Sequence, residues 1–192
     1  MAQSTGLNKV RTAIFISGNG SNLKSIIKFS KLKKSPISVN LIISDNTKSK
    51  GLEYGKVFKI KKKIFNFKKK FIEKKIINEL KKNRINLICL AGFMKILSNF
   101  FIKSFKGKIL NIHPSLLPKF KGLNTHQRAI KNKEKYSGCT VHFVSSKLDS
   151  GKIILQKKVK INKKDNAKTL AKKILIQEHK LYPRAILKVF SL

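Results

Sequence analysis

The stretch Val10-Arg11-Thr12-Ala13-Ile14-Phe15-Ile16-Ser17-Gly18-Asn19-Gly20-Ser21-Asn22-Leu23 decides the fold. Val10 to Ser17 is short and apolar and runs into a Gly-rich turn, as a buried strand does. From Asn22 to about Lys33 the period changes, and Leu23, Ile26, Ile27 and Phe29 share one helical face. A buried strand that passes through a tight turn into a helix opens an α/β unit.

Working outward, Ser35-Pro36 breaks the helix and Ile37 to Ser44 reads as the second strand. A polar loop over residues 45–50 leads to a short helix over 51–58. Ile60 to Phe65 reads as an edge strand whose lysines discourage edge pairing. Lys68 to Asn83 is expected to be helical, with Phe71, Ile72, Ile76, Ile77 and Leu80 on one face. Strands follow at Asn86–Ala91 and Lys108–Ile112, separated by a short helix over Ser98–Ser104 that Ser98 caps. Thr125–Asn132 is helical. Gly138–Val144 and Lys152–Ile161 are β-like, and the short loop between them makes an antiparallel pair. A last helix spans Asn166–Tyr182. The order predicts an α/β fold with a doubly wound, mostly parallel sheet and late antiparallel strands, in one domain over residues 1–192. Ligands of such sheets bind beyond the strand C-termini, which selects the segments 17–22, 91–97 and 111–118.

The third segment, Asn111-Ile112-His113-Pro114-Ser115-Leu116-Leu117-Pro118, carries the most chemistry. Residues two apart on a strand point to one side, so Asn111 and His113 form a pair at a strand end, stiffened by Pro114 and Pro118. With Asp149 of Asp149-Ser150-Gly151 to orient the imidazole, an Asn amide and a His can stabilise an oxyanion and move protons in acyl transfer. Of the other histidines, His126 opens a helix and can cap or contact ligand. His142 reads as core or as support for the site, and His179 as surface or helix end. The four lack metal-ligand spacing, and no G-x-S-x-G elbow is present.

Ser17 to Asn22 can present helix N-terminal N–H groups to a phosphate. It lacks the third Gly of the dinucleotide fingerprint and the Lys-Ser/Thr of the ATP loop, so a single phosphate of a small molecule fits better. A purely structural turn accounts for the loop equally well. Leu90 to Leu97 bends at Gly92 and could wall an apolar cleft for a flat ring, although plain core is the simpler reading.

The charge is unusual: 45 Lys and Arg against 8 acidic residues, a net +37. Such a balance ordinarily signals a polyanion partner. Here the arginines are only Arg11, Arg84, Arg128 and Arg184, and the lysines run evenly along the chain. Specific phosphate and base recognition favours Arg. A composition bias from AT-rich coding explains the lysines better, which codon usage in the gene would test. No specific nucleic-acid partner and no membrane are expected. Cys89 and Cys139 lie in apolar runs without C-x-x-C spacing and are expected to be reduced core thiols. No signal peptide or transmembrane-length run is present, so a cytoplasmic location is expected.

Taken together, six segments resemble the phosphoribosylglycinamide formyltransferases. They are Ile16–Leu23, Leu90–Ser98, Leu110–Phe120, Gly138–Val144, Leu148–Gly151 and Gln177–Pro183, in order and at family-like spacing. The resemblance implies a Rossmann-like formyltransferase fold and formyl transfer from 10-formyltetrahydrofolate to the amine of 5'-phosphoribosylglycinamide, a step of purine synthesis. It implies catalytic Asn111, His113 and Asp149, a phosphate loop of Gly20, Ser21 and Asn22, and Glu178 on the glycinamide part. It further implies folate contacts from Lys69 (or Lys70), Leu90, Met94, Lys95, Ile96, Leu97 and Asn111, no metal, a protonated His113, and a monomer or homodimer. Lys95 replaces a common Arg, Ser146 and Lys147 replace common acidic residues, and Asn124 replaces a frequent His. Two other readings compete. Methionyl-tRNA formyltransferases resemble the chain around Asn111–Pro118, but they carry a further C-terminal domain for which 192 residues leave no room. A basic RNA-binding protein on a decayed scaffold would not be expected to keep the trio.

Overall fold

The computed structural model describes residues 9–190. Seven strands form one sheet in the order β3-β2-β1-β4-β5-β6-β7. They are β1 (Val10–Ile16), β2 (Ile37–Ser44), β3 (Lys61–Ile64), β4 (Leu87–Leu90), β5 (Lys108–His113), β6 (Tyr136–Phe143) and β7 (Ile153–Lys160). β3, β2, β1, β4 and β5 pair in parallel, whereas β6 is antiparallel to both β5 and β7. The expected doubly wound sheet with late antiparallel strands is therefore present.

The parallel strands are apolar along their length because helices cover both faces. On β1, Ile14 and Ile16 face one core and Ala13 and Phe15 the other; β4 splits Leu87 and Cys89 from Ile88 and Leu90 in the same way. The first core is roofed by α1 (Ser21–Ser30) and α6 (Ala167–Phe190), the second by α3 (Ile72–Lys82) and α4 (Asn99–Ser104). Two shorter helices are α2 (Glu53–Val57) and α5 (Thr125–Lys131). Ser98 caps α4 as expected, its Oγ accepting from Phe101 N at 3.1 Å. Cys89 and Cys139 are unpaired and buried, and burial pushes both thiols up to about 12. Among the described residues, no helix is long and apolar enough to cross a membrane.

Two helix boundaries differ from the sequence expectation. α3 starts at Ile72 because Phe71 takes a left-handed conformation, φ 58°, and points outward at 77% exposure instead of joining the apolar face. Ahead of it, the Asn66 side chain accepts from Lys68 N at 2.9 Å and holds residues 66–70 in a turn. α6 runs through Pro183 to Phe190 instead of stopping at Tyr182. A proline frees the carbonyl four residues earlier. That carbonyl belongs to His179, and Ser25 Oγ of α1 donates to it at 2.8 Å. The packing of α1 on α6 thus satisfies the group that the proline orphans, and His179 lies mid-helix rather than at a helix end.

The order reverses between β1 and β4, which opens the crevice where such sheets bind ligands. Tyr182 is fully buried below it, its hydroxyl shared between the carbonyls of Leu90 (3.1 Å) and Leu110 (3.0 Å). Tyr182→Phe is expected to lower stability by about 1–2 kcal/mol, read from urea unfolding, by leaving those carbonyls short of a donor.

Candidate active site

β5 ends at the crevice, and the strand alternation sends Asn111 and His113 to its open side while Ile112 enters the core. The loop that follows is tied to β6 and β7. Thr140 Oγ1 donates to Ser115 O at 2.7 Å and accepts from Leu117 N at 3.1 Å and Gln156 Nε2 at 2.9 Å. Gln156 also donates to Leu117 O at 2.8 Å, so a hydroxyl and an amide fix the path after the Asn-His pair.

The structure brings the trio together. His113 Nδ1 lies 3.3 Å from Asp149 Oδ2, and Asn111 Nδ2 donates to Asp149 Oδ1 at 3.4 Å. Asp149 adopts φ 45°, a strained conformation for a residue with a side chain, and Gly122 N–H donates to its Oδ2 at 2.9 Å. Across the antiparallel register, β6 sets His142 opposite Asn111. His142 Nδ1–H donates to the Phe143 carbonyl at 2.8 Å, which leaves Nε2 as an acceptor for Asn111 Nδ2–H at 3.2 Å. The Phe143 carbonyl therefore selects the His142 tautomer, and the tautomer selects which end of the Asn111 amide faces it.

Burial draws His113 below the ordinary histidine range, against the opposing pull of the Phe120 carbonyl and Asp149. At 6% exposure little water is left to solvate a charge on the ring, which favours its neutral form. Both of its nitrogens face acceptors: Nε2–H donates to Phe120 O at 2.8 Å, and Nδ1 lies 3.3 Å from Asp149 Oδ2. Burial raises the Asp149 carboxyl, but the close approach of His142, the Gly122 N–H and the field of the His113 imidazole outweigh it and hold the group below the ordinary carboxylate range. Burial raises Glu178, opposed by the Asn22 amide that donates to Oε2 at 2.6 Å.

A cavity of about 560 Å³ opens on the trio. Its walls include Asn22, Leu90, Met94, Lys95, Ile96, Leu97, Asn111, His113, Asp149 and Glu178, all picked out from the sequence. Met94 and Ile96 are 66% and 72% exposed, so the 90–97 segment is a cavity wall and not plain core. Lys95 Nζ lies 3.8 Å from Asp45 Oδ2. Gly20 and Ser21 are not in the walls; they begin α1 next to Asn22. Gly20 has φ 72°, and a Cβ there would meet Gly51 Cα at 2.7 Å, so packing against the Lys50–Leu52 turn by itself requires glycine. No side chain caps this helix start. Lys69 and Lys70 stand in the turn over residues 66–70, outside the cavity walls. The sequence reading missed Leu123 and Val144 as walls and Gly122 and the Phe120 carbonyl as holders of the trio. Nothing in their local pattern marks them, since each depends on a loop meeting a distant strand.

His126 lines the cavity and His179 follows Glu178 on α6; each has a buried Nε2 without a hydrogen-bond partner among the described residues. Burial lowers both below the ordinary histidine range. A lowered folded pKa means that the unfolded chain binds protons first as pH falls. Stability is thus full above the ordinary histidine range and is lost as pH falls through the folded values. The melting temperature is expected to drop between pH 7.5 and 5.5, and His179→Gln to flatten that slope in thermal scans.

Comparison with known proteins agrees with this geometry. The family model described as formyl transferase matches residues 10–186. The trifunctional purine biosynthetic protein adenosine-3 of Homo sapiens is 40% identical over 187 residues, which cover 95% of this chain and only 18% of that protein. The chain thus spans under a fifth of the length of that animal relative. Phosphoribosylglycinamide formyltransferase of Escherichia coli strain K12 is 38% identical over 178 residues, covering 90% of this chain and 84% of its own. The crystal structure of phosphoribosylglycinamide formyltransferase from Brucella melitensis superposes with a TM-score of 0.89 at 41% identity, covering 95% of this chain and 96% of that one. With the trio, the cavity and the sheet order in agreement, the chain belongs to the formyl transferase family, among its phosphoribosylglycinamide formyltransferases.

Proposed function

We propose that the chain transfers the formyl group of 10-formyltetrahydrofolate to the amine of 5'-phosphoribosylglycinamide, as one formyltransferase domain working on small molecules in purine synthesis. The observation that carries this reading is the convergence of Asn111, His113 and Asp149 on a cavity with one apolar wall. Leu90, Met94, Ile96 and Leu97 suit a flat pterin ring. The uncapped start of α1 at Gly20, Ser21 and Asn22 suits the phosphate, and Glu178 beside Asn22 suits the glycinamide part. A contact from Lys69 requires a donor that extends beyond the cavity.

In the reaction the amine attacks the formyl carbon, a C–N bond forms, and the formyl oxygen becomes an oxyanion. The Asn111 bond to Asp149 is the long one at 3.4 Å, so that N–H is the one free to turn to the oxyanion. Neutral His113 takes the amine proton on Nδ1. The imidazolium then lies between the Phe120 carbonyl and Asp149, where its charge is matched. The proton passes to N10 of the folate as the old C–N bond breaks, so protons and charge balance. Because His142 holds the Asn111 amide, His142→Phe is expected to lower kcat by about tenfold or more while KM changes little, seen in steady-state kinetics.

The test is a formyl-transfer assay with glycinamide ribonucleotide and 10-formyltetrahydrofolate, following release of tetrahydrofolate. Turnover supports the reading. Folded protein without turnover on this acceptor, yet active on methionyl-tRNA, overturns it.

A further inference from the structure

Only four of the 45 basic residues are arginines, and one of them, Arg128 on α5, meets the loop that holds the trio. Arg128 Nη1 donates to the Lys121 carbonyl at 2.6 Å and towards the Leu123 carbonyl at 3.4 Å. Its guanidinium lies 5.2 Å from the centre of the Phe120 ring. These three residues bracket the two backbone groups that grip the catalytic pair: the Phe120 carbonyl on His113 Nε2, and the Gly122 N–H on Asp149 Oδ2. The segment is no regular element. Phe120, Gly122 and Asn124 have φ of 56°, 77° and 57°, so a sheet ladder cannot hold it in place.

We propose that Arg128 is a positioning residue for the transfer: by clamping residues 120–124 it sets the carbonyl that orients His113 and the amide that orients Asp149. A guanidinium suits the task because its face can stack on Phe120 while its in-plane N–H groups reach the carbonyls. An ammonium has no such plane. Arg128 is exposed and not in the cavity walls, so it acts through the loop and not on the substrate. Its charge also opposes protonation of His113. The other charged or titratable groups that bear on His113 are Asp149, His142 on β6 and His126 on α5. Arg128→Lys keeps the charge and loses the stacked clamp; Arg128→Met loses both.

The inference rests on the formyl-transfer reading for its kinetic test and on geometry alone for its spectroscopic one. Steady-state kinetics and an NMR titration of the His113 ring in unliganded protein are compared for wild type, Arg128→Lys and Arg128→Met, each checked for folding by circular dichroism. In Arg128→Lys we expect kcat to fall about tenfold with KM changed less than about twofold. The His113 midpoint moves down as the Phe120 acceptor is loosened. In Arg128→Met, kcat falls similarly and the midpoint lies above that of Arg128→Lys because the opposing charge is gone. A wild-type kcat or an unmoved midpoint in Arg128→Lys overturns the proposal, as does a raised KM at unchanged kcat. If wild type transfers no formyl group, the functional reading fails, and the His113 midpoint alone then decides for or against the clamp.

Discussion

Asn111→Ala and His113→Ala are each expected to lower kcat by at least about 10²–10³-fold, with circular dichroism and melting close to wild type. In the proposed mechanism Asn111 supplies an N–H where the negative charge develops, and His142 cannot replace it, since its Nε2 is held as an acceptor by the Phe143 carbonyl. His113 is the proposed base: burial favours the neutral ring, which can accept a proton, and the Phe120 carbonyl and Asp149 stabilise the ion once formed. The kinetic signature follows from that protonation state. Turnover is expected to fall on the acid side as His113 is protonated before reaction, with the midpoint below the ordinary histidine range. A kcat profile that rises with acidification would show the imidazolium to be the resting form.

Asp149→Asn is expected to lose at least about 10²-fold in kcat. The substitution keeps the side-chain shape, and Asn tolerates the left-handed backbone at φ 45°. What it removes is the negative charge facing His113 Nδ1, so the imidazolium formed during attack is no longer matched. Stability shows the same charge with a definite sign. The folded pKa of Asp149 lies below the ordinary carboxylate range, so its contribution is present above that range and lost as pH falls through the folded value. Urea unfolding should therefore find the variant less stable than wild type at pH 7, with the gap closing in strong acid. A constant gap across that window would mean that the charge does not contribute.

The sheet was legible because its signals are local. The β2 boundaries at Ile37–Ser44 follow from the apolar run and Pro36, and the Ser98 cap from the residue that starts α4. The failures were local signals overridden by tertiary contacts. Pro183 reads as a stop, yet α6 continues because Ser25 satisfies the orphaned carbonyl of His179. Phe71 fits the apolar stripe of α3, yet its left-handed backbone leaves it outside. In the site, Asn111 and His113 share a side by strand alternation alone, while Asp149 reads as orienting the imidazole, a part the family resemblance also implies.

The sequence by itself determined the alternation of strands and helices, the apolar faces, the pairing of Asn111 with His113, and through six short motifs the family. These are properties of residues close together in the chain, where period and turn chemistry act directly. Only the tertiary structure decided that His142 holds the Asn111 amide, that Gly122 and Phe120 grip Asp149 and His113, that Lys69 lies outside the cavity, and that burial draws His113 below the ordinary histidine range. Several of these contacts join segments distant in the chain, such as Gly122 and Asp149, 27 residues apart, and no local pattern encodes where those segments meet.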